Sequence, residues 1–113
     1  MGENRLENTK LNRNEAKSAV LTAADCENGI WVTPETDEAM VLILCADNAM
    51  EVTISAGDGV LAGADLTIPF ERAETKYVSP ETGRYLRVKG EYAGKLLIKP
   101  SASGLTVGCL RLP

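Results

Sequence analysis

An all-β fold, a jelly-roll-like β-sandwich with a short N-terminal arm, is predicted by three features of this 113-residue sequence. Apolar residues recur with period two from Ala16 onward. Turn-forming clusters such as CENG, TPETDE, SAGDG, SPETG and PSASG fall roughly every 8 to 12 residues, the spacing of short antiparallel strands. After residue 17 no stretch keeps a helical period long enough to compete. The length suits one domain with a single core, and 44% hydrophobic with 25% charged residues is a globular balance that needs no metal or disulfide framework.

Residues 1–15, MGENRLENTKLNRNE, hold four asparagines and a run of mixed charges, with Leu6 and Leu11 as the sizeable apolar anchors. Such a segment buries too little apolar surface to order itself, so it reads as an arm preceding a sandwich domain at 16–113. Strands are expected at 18–23, 30–33 and 39–45. Next comes MEVTIS, where Met50, Val52 and Ile54 face inward and Glu51, Thr53 and Ser55 outward. LTIPF repeats the pattern, and Pro69, which donates no ladder hydrogen bond, places that strand at a sheet edge. Further strands are expected at 76–79, 85–89, 95–99 and 105–112. VTPETDEAM and VSPETGRYL echo each other as the two keys of a jelly roll would, although Pro-Glu-Thr is also ordinary turn chemistry.

The stretch GDGVLAGADLTIPF begins like a phosphate-cradling loop. It lacks the Gly-Lys-Ser/Thr ending of a nucleotide loop, and an alternating strand follows it where the anion-binding helix should stand. Gly57, Gly59 and Gly63 are therefore expected to supply positive φ in a turn or bulge. Asp58, Asp65, Asp37, Glu38, Glu81 and Glu91 form no calcium-loop series and read as solvated turn acids.

Histidine is absent, which removes the usual Ser or Cys triads and Cys/His zinc sites. Ser79, Ser101 and Ser103 stand in no Ser-Lys motif. Cys26, Cys45 and Cys109 are odd in number and widely spaced, so they are expected to be unpaired and metal-free, with Cys45 and Cys109 buried and Cys26 the most accessible. No enzymatic activity, cofactor or metal is expected. Among the five aromatics, Phe70 and Tyr85 read as core. Trp31, Tyr77 and Tyr92 could instead form the stacking platform of a small carbohydrate- or ligand-binding module, the alternative to a structural role.

The run AMVLILC at 39–45 has no polar face and must be covered on both sides, by its own sandwich and by an arm, a loop or another subunit. This predicts a homo-oligomer, taken as a trimer, with Leu6, Leu11, Val41, Ile43 and Trp31 as interface candidates. The net charge of −4 is concentrated after residue 17, where 8 basic side chains face 13 acidic ones, which argues against nucleic acid as a partner. No apolar run is long enough for a helical span and the start of the chain is no signal peptide, so no membrane association and a protein made in a cytoplasm are expected.

The segments GDGVLAGADL, TKY, TGRY, GEYAGKLLI and the final LRLP, spread over residues 55–113, resemble small structural proteins of tailed bacteriophages, of the capsid-decoration or head-associated kind. The resemblance implies an all-β virion component, assembled in the host cytoplasm, that binds its own copies and a major capsid protein. It implies no active-site residue.

Overall fold

The computed structural model describes residues 6–60 and 62–113. Its strands are β1 (Thr9–Lys10), β2 (Thr22–Ala23), β3 (Ile30–Val32), β4 (Met40–Ala46), β5 (Met50–Ile54), β6 (Leu66–Phe70), β7 (Glu74–Val78), β8 (Leu96–Pro100) and β9 (Leu105–Arg111). Helical structure among the described residues is limited to a 3-10 turn at Asp37–Ala39 and the single turn α1 (Thr82–Tyr85).

Two sheets stack face to face. One runs β1-β9-β4-β7, with β2 also on β9, and the other runs β3-β8-β5-β6. The pairing is nested: β5 joins β6, β4 joins β7, β3 joins β8 and β2 joins β9, all antiparallel. One long hairpin folded over itself into two sheets is the jelly roll that the sequence predicts.

Period-two sequence places the core. Ile30, Val32, Leu42, Leu44, Val52, Ile54, Leu96, Ile98 and Val107 are fully buried on the two inner faces, each such side chain contributing about 1.5–3 kcal/mol by leaving water. β5 alternates as expected, with Met50, Val52 and Ile54 buried and Glu51 exposed. β6, with Pro69, is an edge strand. Phe70 and Tyr85 are core residues.

Four expectations need correction. The described part of the arm is not separate from the sandwich; residues 1–5 of that segment lie outside the described residues. Leu6 is in the core, β1 pairs in parallel with β9, and the Leu6 N–H donates to the Trp31 carbonyl at the edge of the other sheet. Asn8 adds a tie, donating through Nδ2 to the Thr33 carbonyl at 2.8 Å and to Glu35 at 2.9 Å. Unpaired ladder groups on β9 and β3 give this polar segment the partners its own composition lacks.

The strand expected at 85–89 does not form. Tyr85 ends α1, and the amides beyond it are taken by other groups: Leu86 N–H by the Thr82 carbonyl, Val88 N–H by the Asp58 carboxylate at 2.6 Å. Gly57, Gly59 and Gly63 do not have positive φ; Gly29, Gly90, Gly94 and Gly104 do. Gly57 is required for close approach instead, since a Cβ there would run into the backbone of Tyr85 and Leu86. Cys45 is half-buried rather than buried, because it points to the outer face of β4.

Candidate functional site

The two outer faces of the sandwich differ in chemistry. On the five-stranded sheet, Val41, Ile43 and Cys45 project outward from β4. The register sets Ile43 opposite Tyr77 on β7 and Gly108 on β9, and Val41 opposite Leu110, so these residues share one face. The chain before β2 folds over that face. A Cβ at Gly108 would lie 2.7 Å from Leu21 Cδ2 and 3.5 Å from Ile43 Cδ1, so Leu21 fills the notch that glycine leaves. Val20 is held beside it by its N–H donating to Thr9 Oγ1 at 2.8 Å.

The chain itself therefore covers Ile43, within the apolar run that the sequence assigns to an arm, a loop or a neighbouring subunit, and leaves Val41 and Cys45 half-buried. Ile43 is 9% exposed. The cover is apolar in its turn, with Leu21 48% and Val20 39% exposed, and beside Ile43 on β7 Tyr77 is 67% exposed. The candidate contact surface thus moves outward, from Ile43 to Val20, Leu21 and Tyr77.

The four-stranded sheet presents aromatic and cationic groups at its β3 edge. Trp31 points outward from β3 and stacks on Tyr92 of the turn before β8, with ring centroids 3.9 Å apart and planes 4° from parallel. The Arg87 guanidinium carbon lies 5.9 Å from the Trp31 ring, a range in which the cation is attracted to the π face. Arg87 N–H donates to the Lys95 carbonyl, and Lys95 Nζ donates to Thr33 Oγ1 at 3.2 Å. Trp31, Arg87, Tyr92 and Lys95 are all partly exposed.

The glycine loop between β5 and β6 is a structural clamp. Gly57 N–H donates to the Arg84 carbonyl, Asp58 accepts from Val88, and Asp65 accepts from Ala56 N–H at 2.7 Å. Both carboxylates remain at the surface and also serve as acceptors for backbone amides. Among the described residues no three His, Cys, Asp or Glu side chains are grouped to hold a metal ion, and no helix is long and apolar enough to cross a membrane.

No family model, curated protein or solved structure matches this chain.

The structure disperses the five interface candidates. Leu6 is in the core, Leu11 is half-buried where its N–H meets the Arg111 carbonyl, and Ile43 lies under Leu21. Val41 is half-buried on the apolar outer face, and Trp31 is on the opposite sheet. Val20 and Leu21 belong to the strand expected at 18–23, but nothing in their local sequence says that they lie across a face rather than within a ladder. Gly108, the only small residue in the middle of LTVGCLR, is the legible trace of that crossing.

The free thiols also separate by environment. Cys26 is exposed, while burial, reinforced by the Glu35 carboxylate, pushes the Cys109 thiol from its ordinary 9.0 up to about 11. Iodoacetamide at neutral pH should alkylate Cys26 first and Cys109 only on unfolding, read by mass spectrometry of the peptides. Between pH 9 and 11 the unfolded chain loses the Cys109 proton and the folded chain keeps it. Stability should therefore fall as pH rises through that window, and a Cys109→Ala variant should show a shallower alkaline decline in urea midpoint than wild type.

Proposed function

We propose that this protein is a non-enzymatic structural component that works by binding other protein subunits through the outer face of its five-stranded sheet. The observation that carries this reading is the exposure of Leu21 and Val20, which lie over Gly108 beside Ile43, and of Tyr77, opposite Ile43 on β7. Large apolar side chains grouped on one face favour association, whereas singly scattered ones do not. The absence of histidine and of any nucleophile motif supports a role without catalysis.

In its finer form the reading is a capsid-decoration or head-associated component of a tailed bacteriophage, binding copies of itself, as a trimer, and a major capsid protein. It rests on the resemblance of residues 55–113 and on the jelly-roll topology, an architecture used by capsid proteins and also by lectins and cupins. A capsid gene next to the gene for this chain would support it.

Light scattering coupled to size exclusion tests the association. The wild-type chain should elute as a trimer at micromolar concentration, and Tyr77→Asp and Leu21→Asp should each shift it to monomer with an unchanged circular dichroism spectrum. A wild-type monomer at high micromolar concentration would refute self-association through this face.

A further inference from the structure

The turn that leads into β3 contains Asn28-Gly29, the only Asn-Gly step in the sequence. We infer that Asn28 is a site of spontaneous deamidation through a cyclic imide, and that Asp25 is the latch that holds the folded chain back from it.

The chemistry needs nothing but water. The Gly29 backbone nitrogen gives its proton to hydroxide and attacks the Asn28 side-chain carbonyl carbon. A new C–N bond closes the imide, the bond to the side-chain nitrogen breaks, and ammonia leaves after taking a proton from water, which returns the hydroxide. Water then opens the imide at one of its two carbonyls. The product at position 28 is aspartate or, where the backbone now runs through the side-chain carboxyl, isoaspartate. Glycine is the successor that permits the attack, because no Cβ shields its nitrogen. Asn12, Asn14 and Asn48 are followed instead by Arg13, Glu15 and Ala49.

Both reacting groups are tied to one residue. The Gly29 N–H donates to the Asp25 carbonyl at 2.7 Å, and Asn28 Nδ2 donates to the Asp25 carboxylate at 2.8 Å. The nitrogen that must lose its proton is thus buried and engaged, and the amide that must swing onto it is anchored. The same carboxylate accepts the Glu27 N–H at 3.2 Å. The bonds from Glu27 and Asn28 hold the Asp25 carboxyl below its ordinary value, so at neutral pH it stays ionised and keeps its acceptors. Gly29 has little room to move: its φ is 74°, it bridges Asp25, and a Cβ on it would lie 2.6 Å from the Ile98 carbonyl oxygen on β8. Asn28 is exposed, so hydroxide and water reach it as soon as the turn opens.

Conversion runs one way. Either product sets a carboxylate where an amide had donated, facing the Asp25 carboxylate, and like charges cannot restore the latch. Isoaspartate also adds a methylene to the backbone just before Ile30 starts β3.

Peptide mass spectrometry of the full chain incubated at neutral pH, with isoaspartyl methyltransferase labelling, follows the reaction. Wild type unfolded in urea should deamidate at Asn28 at least about tenfold faster than folded wild type, and folded Asp25→Ala should also be about tenfold faster, the effect of one hydrogen bond to a charged group. Asp25→Asn, which keeps an acceptor oxygen, should fall between. Cys109 in parallel samples should stay closed to iodoacetamide in both variants, which separates an opened turn from an unfolded chain. Asn28→Asp, a mimic of the product, should lower the exchange protection of the Gly29 N–H about tenfold. Equal Asn28 rates in folded and unfolded wild type, a wild-type rate in Asp25→Ala, unchanged Gly29 protection in Asn28→Asp, or faster loss at Asn12 or Asn14 than at Asn28 in the unfolded chain would each overturn the inference.

Discussion

Leu44→Ala should remove about 3–5 kcal/mol of unfolding free energy, a large part of what a domain of this size possesses. Leu44 is fully buried at the middle of β4, the strand that holds β9 on one side and β7 on the other, opposite Val107 and Lys76. Truncation there leaves a cavity enclosed by two sheets, which can collapse little. Ile43→Ala, one residue away on the outer face, should cost far less, because its side chain is covered by Leu21 from a segment that can settle into the space. Urea unfolding of both variants, with m values equal to wild type, measures the difference. Equal losses would mean that β4 is turned over, since a slip of one residue exchanges the faces of a strand.

Gly57→Val should cost about 2–4 kcal/mol through overpacking and lost hydrogen bonds rather than through a changed φ preference. Its side chain would enter the space held by the Leu86 N–H and the Tyr85 carbonyl carbon, each 2.9 Å from an ideal Cβ. The loop would then have to lift, parting Gly57 from the Arg84 carbonyl and Asp58 from Val88. Gly59→Ala, whose Cβ would meet only the Val88 methyls, at 3.3 and 3.9 Å, should be mild by comparison. Amide exchange gives a local readout: Val88 N–H should lose protection in Gly57→Val and keep it in Gly59→Ala. A Gly57→Val protein as stable as wild type would show that the loop is not clamped onto the 84–88 segment.

Where burial decides a residue's place, the sequence was legible. The alternation in MEVTIS, the proline in LTIPF and the unbroken AMVLILC run correspond to β5, the edge strand β6 and the central strand β4. What could not be read depends on groups distant in the chain. RYLRVK has the composition of a strand, yet Gly57 and Asp58, about thirty positions earlier, take its backbone groups first. The polar arm has no reason of its own to order, and it does so because β9 and β3 offer edges. Trp31 and Tyr92 were both marked as aromatic candidates, but their pairing depends on the turn that precedes β8, which no local pattern reports.

The nested pairing also sets an order of events. β5 and β6 are near neighbours in the chain and can meet early. β4 cannot gain its second partner until β9 is present, and β9 also carries β1 and β2, joining Thr9 to Leu110 and Thr22 to Val107. Contacts of such long sequence separation close slowly, on about the millisecond-to-second scale of β-sandwiches. During synthesis MVLILCA therefore waits with an open edge until the last strand emerges, the interval in which such a segment is most prone to pair with another chain. Removing residues 105–113 would not merely trim a sheet; it would leave β1, β2 and one side of β4 without partners.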